Sequence, residues 1–449
     1  MKRLSAPLDV QIELTENCNQ KCFHCYNHWR YSEEIGKSEL KEQDFLLIVK
    51  KLVVAGINSF TLTGGEPFLR PKLLFSILEY CNQNNIRASI NSNATLIKNN
   101  DAGKMRDLGV THVLVSLLGT EKTHNKITNS NTFKKACDGI MALVDNKVKV
   151  SVNMAVSKLN FREMRDVSKI AKNLGVIAFC ATPIVPSHQS HKDFLLSGEE
   201  CKQMLRILLK IKEELRLNID TLEPIARCLF SEQEEDEFIS FFGNRICSAA
   251  VTTCAISSKG TIRPCIHADM EFGNLLEEDF SDIWEKMESW ASPNILPSGC
   301  KTCKAVVICE GGCRMSAKLI SGCYNGKDMY MKQPITSTER VKKLPFKKEE
   351  KKETINLQET DVFNFNPSVI LRKEDFGGVI FIDNKTDFLT SKGFEFLLSL
   401  KSRSIFSADS INKEFGFGMD KINFLLNKLY KDKIIEKGGE KSDCFGFSR

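Results

Sequence analysis

The sequence predicts an α/β fold built on a parallel sheet or a partial barrel, because β-rich and amphipathic helical segments alternate over its first 185 residues. Six β-rich runs predict strands over residues 11–14, 59–62, 87–90, 112–117, 149–155 and 177–181. Apolar residues recur at helical spacing between them, over residues 42–54, 73–82, 102–108, 133–144 and 161–174. In such folds the loops at the carboxyl ends of the strands carry the chemistry.

The composition is that of a globular protein. A length of 449 residues has room for about three domains, and a content of 42% hydrophobic and 27% charged residues fits neither a disordered nor a membrane-embedded chain. No apolar run nears the roughly 18 residues of a membrane span, and the first ten residues lack a secretory pattern, which predicts a cytoplasmic protein with no membrane partner. The net charge of +6 is too small for this length to favour nucleic acid as a partner.

Seventeen cysteines in a chain with no secretory signal indicate metal ligands rather than disulfides, because a reducing cytosol keeps thiols free. Cys18, Cys22 and Cys25 follow the first predicted strand, where a functional loop belongs. A four-iron cluster takes one thiolate per iron, so three thiolates leave one iron with an open position. The spacing also allows a zinc site completed by His24 or His28.

The loop after the second predicted strand reads "TLTGGEPFLRP", residues 61 to 71. Gly64 and Gly65 allow the backbone to approach a ligand closely, and the Glu66 carboxylate can pair with an ammonium group. Two glycines and a carboxylate in the loop after the second strand suit a bound ligand and weaken the zinc alternative.

Together these motifs resemble those of the radical S-adenosylmethionine (radical SAM) enzymes. The resemblance implies a [4Fe-4S] cluster on Cys18, Cys22 and Cys25, whose open iron chelates S-adenosylmethionine, and a 5′-deoxyadenosyl radical that takes a hydrogen atom from an unactivated carbon. It also implies cofactor contacts within "GGEP", "NSNATL" and "VSLLGTEKTHN". The residues are Gly64, Gly65, Glu66, Pro67, Asn91, Asn93 and Ser116, with Lys126 as a substitute for the arginine that many relatives carry where this chain has Thr128.

A second group of cysteines lies further along the chain. Its spacing, which includes "GTIRPC" and "CKTCKAVVICEGGC", resembles the SPASM extension of peptide-maturing radical SAM enzymes. The resemblance implies a first auxiliary cluster on Cys247, Cys265 and Cys313 with Cys254 as fourth ligand, and a second on Cys300, Cys303, Cys309 and Cys323. The chain would then hold three [4Fe-4S] clusters; a zinc ribbon would account for Cys300 and Cys303 alone.

Six cysteines remain, and most are expected to pack in the core as small hydrophobes: Cys81, Cys137, Cys180, Cys201, Cys228 and Cys444. Cys180 falls near the end of the sixth predicted strand, where the mouth of a barrel would be. There it could return a hydrogen atom to a substrate radical, as an epimerase requires.

The domain order follows from these patterns. We expect a radical SAM partial (β/α)6 barrel over residues 1–185, a helical connection over 186–244, a SPASM domain over 245–326, a charged linker over 327–355 and a small winged-helix α+β domain over 356–449. The connection contains one amphipathic helix, residues 199–217, and an acidic turn, residues 232–237.

The last domain shows two strands, residues 368–373 and 379–382, and then three helices, residues 391–400, 409–415 and 419–429. This order resembles the precursor-peptide recognition element of ribosomal peptide maturases, which binds a leader peptide as an added strand. DNA binding through Lys421, Lys428 and Lys431 is the alternative, but the domain is not strongly basic.

These resemblances imply an enzyme that modifies a ribosomally made precursor peptide, held by its leader, and forms a thioether or carbon-carbon crosslink. An electron donor such as flavodoxin or ferredoxin would reduce it. Peptide epimerisation is one alternative. Another is maturation of a folded protein, as in sulfatase maturases, where a base follows the "GTIRPC" cysteine; here Asp269 lies further on. A third is a non-enzymatic iron-sulfur regulator that binds DNA.

Overall fold

A computed structural model describes residues 3–31, 33–242, 246–337, 361–382 and 385–438. The chain divides into two compact units, Met1–Leu344 and Pro345–Arg449. Most of the expected charged linker, and the expected packing cysteine Cys444, lie outside the described residues. None of the described helices is both long and apolar enough to cross a bilayer.

Among the described residues the first unit has nine strands, which form one sheet in the order β7-β6-β5-β4-β3-β2-β1-β8-β9. They are β1 Asp9–Glu13, β2 Ser59–Thr63, β3 Arg87–Ser92, β4 His112–Ser116, β5 Val150–Val156, β6 Ala178–Pro183, β7 Asn218–Asp220, β8 Thr253–Ile256 and β9 Ile262–Arg263. All neighbouring strands pair in parallel except β8 and β9, which are antiparallel. The cysteine-rich segment therefore extends the sheet of the barrel beside β1.

The described helices of this unit follow the strands and cover the sheet. The α-helices are α1 Glu42–Val54, α2 Pro71–Gln83, α3 Asn99–Asp107, α4 Glu121–Thr128, α5 Phe133–Asp145, α6 Met164–Asn173, α7 Gly198–Leu215, α8 Glu232–Phe242, α9 Phe280–Lys286, α10 Glu288–Ala291, α11 Ser298–Lys301, α12 Val306–Cys309 and α13 Arg314–Ser321. Short 3-10 helices span His28–Tyr31, Pro67–Leu69, Phe161–Glu163, Gln189–Phe194, Arg227–Leu229 and Pro293–Ile295.

The predicted α/β fold is confirmed, and all six predicted strands are present to within two residues at either end. Helix α4 was not predicted, because only three of its eight residues are buried and its apolar pattern is short. The strand pattern also continues past residue 185, since β7 pairs with β6.

The acidic segment expected to be a turn is instead helix α8. Ser231 and Glu234 form reciprocal side-chain to backbone hydrogen bonds at its start, with donor–acceptor distances of 2.9 and 3.3 Å. The Glu234 carboxylate also lies 2.8 Å from the Lys202 ammonium and 2.9 Å from the Arg206 guanidinium, both on α7. Acidic residues in the first turn of a helix are stabilised by its dipole, and here they also pair with α7.

Alternation along the strands separates the core of the barrel from its interior. On β1, Val10 and Ile12 are completely buried in the main apolar core, whereas Gln11 lines the interior cavity. Successive side chains of a strand point to opposite faces of the sheet, so every second residue of each central strand is directed toward the interior. The functional groups of the barrel are found on that face.

The described part of the second unit has its own core and two three-stranded sheets, ordered β14-β10-β15 and β11-β12-β13. The strands are β10 Val362–Phe365, β11 Ile370–Glu374, β12 Gly377–Ile382, β13 Lys385–Thr390, β14 Phe406–Ser407 and β15 Ile435–Lys437, and the helices are α14 Ser391–Lys401, α15 Ala408–Phe415 and α16 Met419–Lys431. The predicted hairpin and the three predicted helices are confirmed.

Candidate active site

The loop that carries Cys18, Cys22 and Cys25 leaves the carboxyl end of β1 and is held by the glycine loop after β2. The Gly65 amide donates to the Thr15 carbonyl at 2.6 Å, and the Glu66 amide donates to the Asn17 carbonyl at 2.8 Å. A Cβ atom on Gly65 would lie 2.0 Å from the Asn17 carbonyl oxygen, so only glycine fits. The close approach that the glycines permit is therefore to the cysteine loop itself.

Glu66 links the glycine loop to the polar segment that follows β3. Its buried carboxylate accepts hydrogen bonds from the Ser92 hydroxyl at 2.8 Å, the Asn93 amide at 2.9 Å and the Phe68 amide at 3.1 Å. Burial raises the pKa of Glu66 to about 7. These three contacts tie the glycine loop to the segment after β3, so Glu66 positions the two loops. A carboxylate can accept further hydrogen bonds, and pairing of Glu66 with an ammonium group stays a prediction.

The Asn93 side chain continues this network toward the cysteines. Its amide nitrogen donates to the Asn19 side-chain oxygen at 2.8 Å and lies 4.0 Å from the Cys18 sulfur. Its own side-chain oxygen accepts from the Thr95 hydroxyl at 2.7 Å. Asn93 thus contacts the cysteine loop and does not line the interior cavity.

The carboxyl end of α4 packs against the other side of the cysteine loop. The Lys21 amide donates to the Thr128 carbonyl at 2.9 Å, and the Phe23 amide donates to the Ile127 carbonyl at 3.2 Å. Lys126 lies on this helix, but its side chain is exposed and does not line the cavity. The cysteines of the loop do not line that cavity either, so a contact between Lys126 and the cofactor carboxylate stays a prediction.

A cavity of about 300 Å³ occupies the interior of the barrel. One wall consists of polar side chains from successive strands, which include Gln11, Asn91, Ser116, Asn153 and Thr182. The Thr182 hydroxyl donates to the Asn153 side-chain oxygen at 2.8 Å, which fixes that amide. Asn91 and Ser116, both predicted from sequence, therefore face the same space.

The same cavity is also lined by Cys247, Cys265 and Cys313, the three cysteines expected in the first auxiliary cluster. Burial raises the pKa of Cys247 to about 11 and that of Cys265 to about 12, so these thiols need a cation to become thiolates at neutral pH. They fit an iron-sulfur group, because the three come from separate segments and line one cavity next to the polar wall.

Cys254 does not belong to this set, contrary to the sequence prediction. It lies on β8 directly after Thr253, which lines the cavity, and neighbouring side chains of a strand point to opposite faces. The Cys254 side chain is accordingly buried in the apolar core, opposite Val10 in the register of β8 and β1.

A second cavity, of about 190 Å³, is lined by Cys300, Cys303 and Cys309. Cys323, the predicted fourth ligand, is exposed and does not line it, and its thiol contacts the Ser321 carbonyl at a distance of 3.8 Å. Cys228, which the sequence assigned to packing, does line it. In the part of the chain that the structure describes, no three His, Cys, Asp or Glu side chains converge as they would around a single metal ion.

Two further residues named from the sequence can be placed. Cys180 lies within β6 on the same face as Thr182, opposite Asn153 in the register, so its side chain is directed toward the barrel interior although it does not itself line the cavity. Its role as a hydrogen donor stays a prediction. Asp269, considered as a base, is paired with the Lys318 ammonium and accepts from the Tyr324 hydroxyl at 2.6 Å. Cys81 and Cys201 are buried in the core, as expected for packing cysteines.

Arg263 joins the cysteine-rich segment to the cysteine loop of the barrel. Its buried guanidinium pairs with the Glu13 carboxylate, donates to the Ala268 carbonyl at 2.7 Å and lies 3.2 Å from Nδ1 of His28. Burial lowers the pKa of His28 to about 4. His28 is thus directed at Arg263, which speaks against its completing a zinc site with the cysteine loop.

We expect Arg263→Met to lower the free energy of unfolding by about 3–5 kcal/mol, because it leaves the buried Glu13 carboxylate without its partner. Denaturant unfolding of the apoprotein measures this. The double variant Glu13→Gln/Arg263→Met should recover part of the loss, and Arg165→Met, at an exposed pair with Glu214, should cost less than about 1 kcal/mol. Equal losses at the buried and exposed sites would contradict the prediction.

A partial barrel with a three-cysteine loop at its carboxyl end and a cysteine-rich extension defines an iron-sulfur enzyme. Comparison with known families agrees: residues 12–171 match the Radical SAM superfamily, and residues 247–304 match SPASM, an iron-sulfur cluster-binding domain. The chain therefore contains a radical SAM domain and a SPASM domain, which supports a radical SAM enzyme. The two domains imply [4Fe-4S] clusters and S-adenosylmethionine as cofactors.

Two relatives illustrate the range of this group. The chain is 26% identical over 340 residues to the AdoMet-dependent heme synthase of Methanosarcina barkeri, a match that covers 73% of this chain and 96% of that protein. It is 25% identical over 281 residues to the sporulation killing factor maturation protein SkfB of Bacillus subtilis, covering 62% of this chain and 64% of that protein.

Solved structures show the same fold. Streptococcus suis SuiB bound to S-adenosylmethionine superposes with a TM-score of 0.58 at 19% identity, covering 72% of this chain and 76% of that one. The anSMEcpe structure with bound AdoMet gives the same TM-score and identity and covers 72% and 90%. SuiB bound to its precursor peptide SuiA gives a TM-score of 0.55 at 20% identity and covers 70% and 73%.

Proposed function

We propose that this enzyme modifies a ribosomally synthesised precursor peptide, and that its second unit holds the leader of that peptide. The observation that carries the proposal is the second unit itself. Both family matches end by residue 304, and the match to the heme synthase leaves about a quarter of this chain uncovered. The hairpin followed by three helices in the described part of the second unit resembles a peptide-recognition element in element order.

Strand β13 offers an edge to which an extended peptide can add. It lies at the end of its sheet and pairs with β12 only, among the strands that the structure describes. Most of its side chains are exposed, and Phe388 leaves 55% of its surface open to solvent. A peptide bound as a further strand would use the outer backbone groups of β13 for affinity and Phe388 for an apolar contact.

The barrel supplies the chemistry to which the peptide is delivered. When bound, the cluster and S-adenosylmethionine supply a 5′-deoxyadenosyl radical, which abstracts a hydrogen atom. The polar wall of the cavity, with Ser116 and Asn153, would orient a peptide segment beside Cys247, Cys265 and Cys313. Crosslinking removes a second electron from the substrate, and Cys247, Cys265 and Cys313 would hold a cluster that would supply an acceptor for it. Flavodoxin or ferredoxin would supply the reducing electron.

Phe388→Ala should weaken binding of the leader peptide about tenfold, since it removes an exposed aromatic contact next to the paired backbone. Fluorescence anisotropy of a labelled leader, from a precursor peptide chosen among short reading frames near the gene, measures the affinity of the full chain. Ile405→Ala, at an exposed apolar residue that lies outside β13, should have no effect and serves as the matched control. Equal affinity of the wild type and both variants would overturn the assignment of β13.

An iron porphyrin substrate is the second candidate, and the similarity to AdoMet-dependent heme synthases and to an Fe-coproporphyrin III synthase favours it. Titration of the reconstituted protein with iron coproporphyrin distinguishes the two. A saturable shift of the porphyrin absorption band, with no binding of the precursor peptide, would favour the porphyrin over the peptide.

A further inference from the structure

We propose that Cys228 is the fourth ligand of the second auxiliary cluster, together with Cys300, Cys303 and Cys309. This inference concerns the cluster alone and holds for either substrate. The resemblance in cysteine spacing implied Cys323 as the fourth ligand. In the present proposal Cys228 takes its place.

The four sulfurs share one cavity. Cys228 lies on the short 3-10 helix Arg227–Leu229, between β7 and α8, and lines the cavity together with three cysteines of the "CKTCKAVVIC" segment. The cavity volume of about 190 Å³ exceeds by several fold the ~30 Å³ that one water molecule occupies in the liquid. A four-iron cluster takes four thiolates, and this cavity has four cysteines on its wall.

Backbone amide groups are directed at the sulfurs of this set. The Lys332 amide donates to the Cys228 sulfur at 3.1 Å, the Arg227 amide donates to the Cys309 sulfur at 3.3 Å, and the Ile335 amide donates to the Cys303 sulfur at 3.4 Å. Amide hydrogen bonds to the sulfurs are a feature by which proteins set the reduction potential of iron-sulfur clusters. Cys228 thus receives the same kind of contact as Cys303 and Cys309.

Cys323 lacks this environment. It follows Gly322, which ends helix α13 in a left-handed conformation with φ of 81°, and it precedes an exposed turn. Within the described residues, the hydrogen-bond partner of its thiol is the nearby Ser321 carbonyl. The cavity is lined instead by the segment beyond it, including Met331 and Ile335.

The test compares Cys228→Ser with Cys323→Ser in the anaerobically reconstituted full chain, by iron and sulfide analysis and by Mössbauer and EPR spectroscopy. Three clusters give about twelve irons in the wild type. Cys323→Ser should keep that number and the wild-type spectra. Cys228→Ser should lose about four irons or convert one cluster to a three-iron form, while S-adenosylmethionine cleavage persists because Cys18, Cys22 and Cys25 are untouched.

Wild-type spectra and iron content in Cys228→Ser, or loss of a cluster in Cys323→Ser, would overturn the assignment. Alkylation of the wild-type holoprotein keeps the test decisive if Cys228→Ser fails to fold. Cys323 should react with iodoacetamide at once, whereas Cys228 should react only after iron is chelated. Equal reactivity of the two thiols in the holoprotein would also refute the proposal.

Discussion

Replacement of Cys18, Cys22 and Cys25 with Ala is expected to abolish formation of 5′-deoxyadenosine. The three thiols lie on one loop, which the glycine loop and the end of α4 fix from two sides. Burial raises the pKa of Cys18 to about 11, so bound iron is needed to hold it as a thiolate. Without the three thiolates no iron is left with an open position for S-adenosylmethionine. Chromatography of the reaction after reduction with dithionite measures the product.

The same variant should retain its auxiliary clusters, with about eight irons per chain, because their proposed ligands lie in other cavities. This retention separates a specific loss from a failure to fold. Cys81→Ala, at a buried core cysteine away from the cavities, should keep both the full iron content and the activity. Persistent cleavage of S-adenosylmethionine in the triple variant would refute the cluster assignment.

Removal of the second unit should separate cofactor cleavage from peptide modification. A chain that ends at Leu344 keeps the whole first unit and every proposed cluster ligand. It should still cleave S-adenosylmethionine when reduced. Its rate of peptide modification should fall by about 100-fold or more at micromolar peptide, because the tether no longer raises the local concentration of the core peptide. Mass spectrometry of the peptide measures that rate.

The peptide concentration and the leader sequence should each change the outcome. Raising the peptide to millimolar concentration should restore part of the activity, whereas the isolated second unit added in trans should restore little, because the effective concentration is lost. A leader with proline in its docking segment should bind the full chain more weakly, since proline removes a backbone donor. Unchanged processing by the shortened chain would show that the second unit does not recognise the substrate.

The sequence predicted the barrel well because its signals are local. Helical and strand periodicity located the six strands, and the glycines of "GGEP" marked a close backbone approach. The sequence could not tell that Gly65 approaches Asn17 so closely, nor that Glu66 would accept hydrogen bonds from Ser92 and Asn93. Those contacts join loops that are far apart in sequence.

The cysteine ligands show the same limit more sharply. Spacing gives the distance between cysteines along the chain, but it does not give the face of the element on which each thiol lies. In "TTCAI", Cys254 alternates with Thr253 and shares its face with buried Ile256, a signal that could have excluded it. Turn residues on both sides of Cys323 likewise favoured an exposed position. Cys228 carried no such signal, because it meets the other cysteines only in the folded chain.

The most direct test of the central claim is the mass of a precursor peptide, chosen from short reading frames near the gene, after turnover with the reduced, reconstituted enzyme in D2O. Crosslinking predicts a peptide lighter by two hydrogen atoms, formed in step with 5′-deoxyadenosine and dependent on the leader. Epimerisation would instead add one deuterium atom to the peptide. That result would support a peptide substrate but would show that the reaction is not a crosslink. An unchanged peptide mass, with 5′-deoxyadenosine formed at the same rate in its presence and absence, would contradict the account.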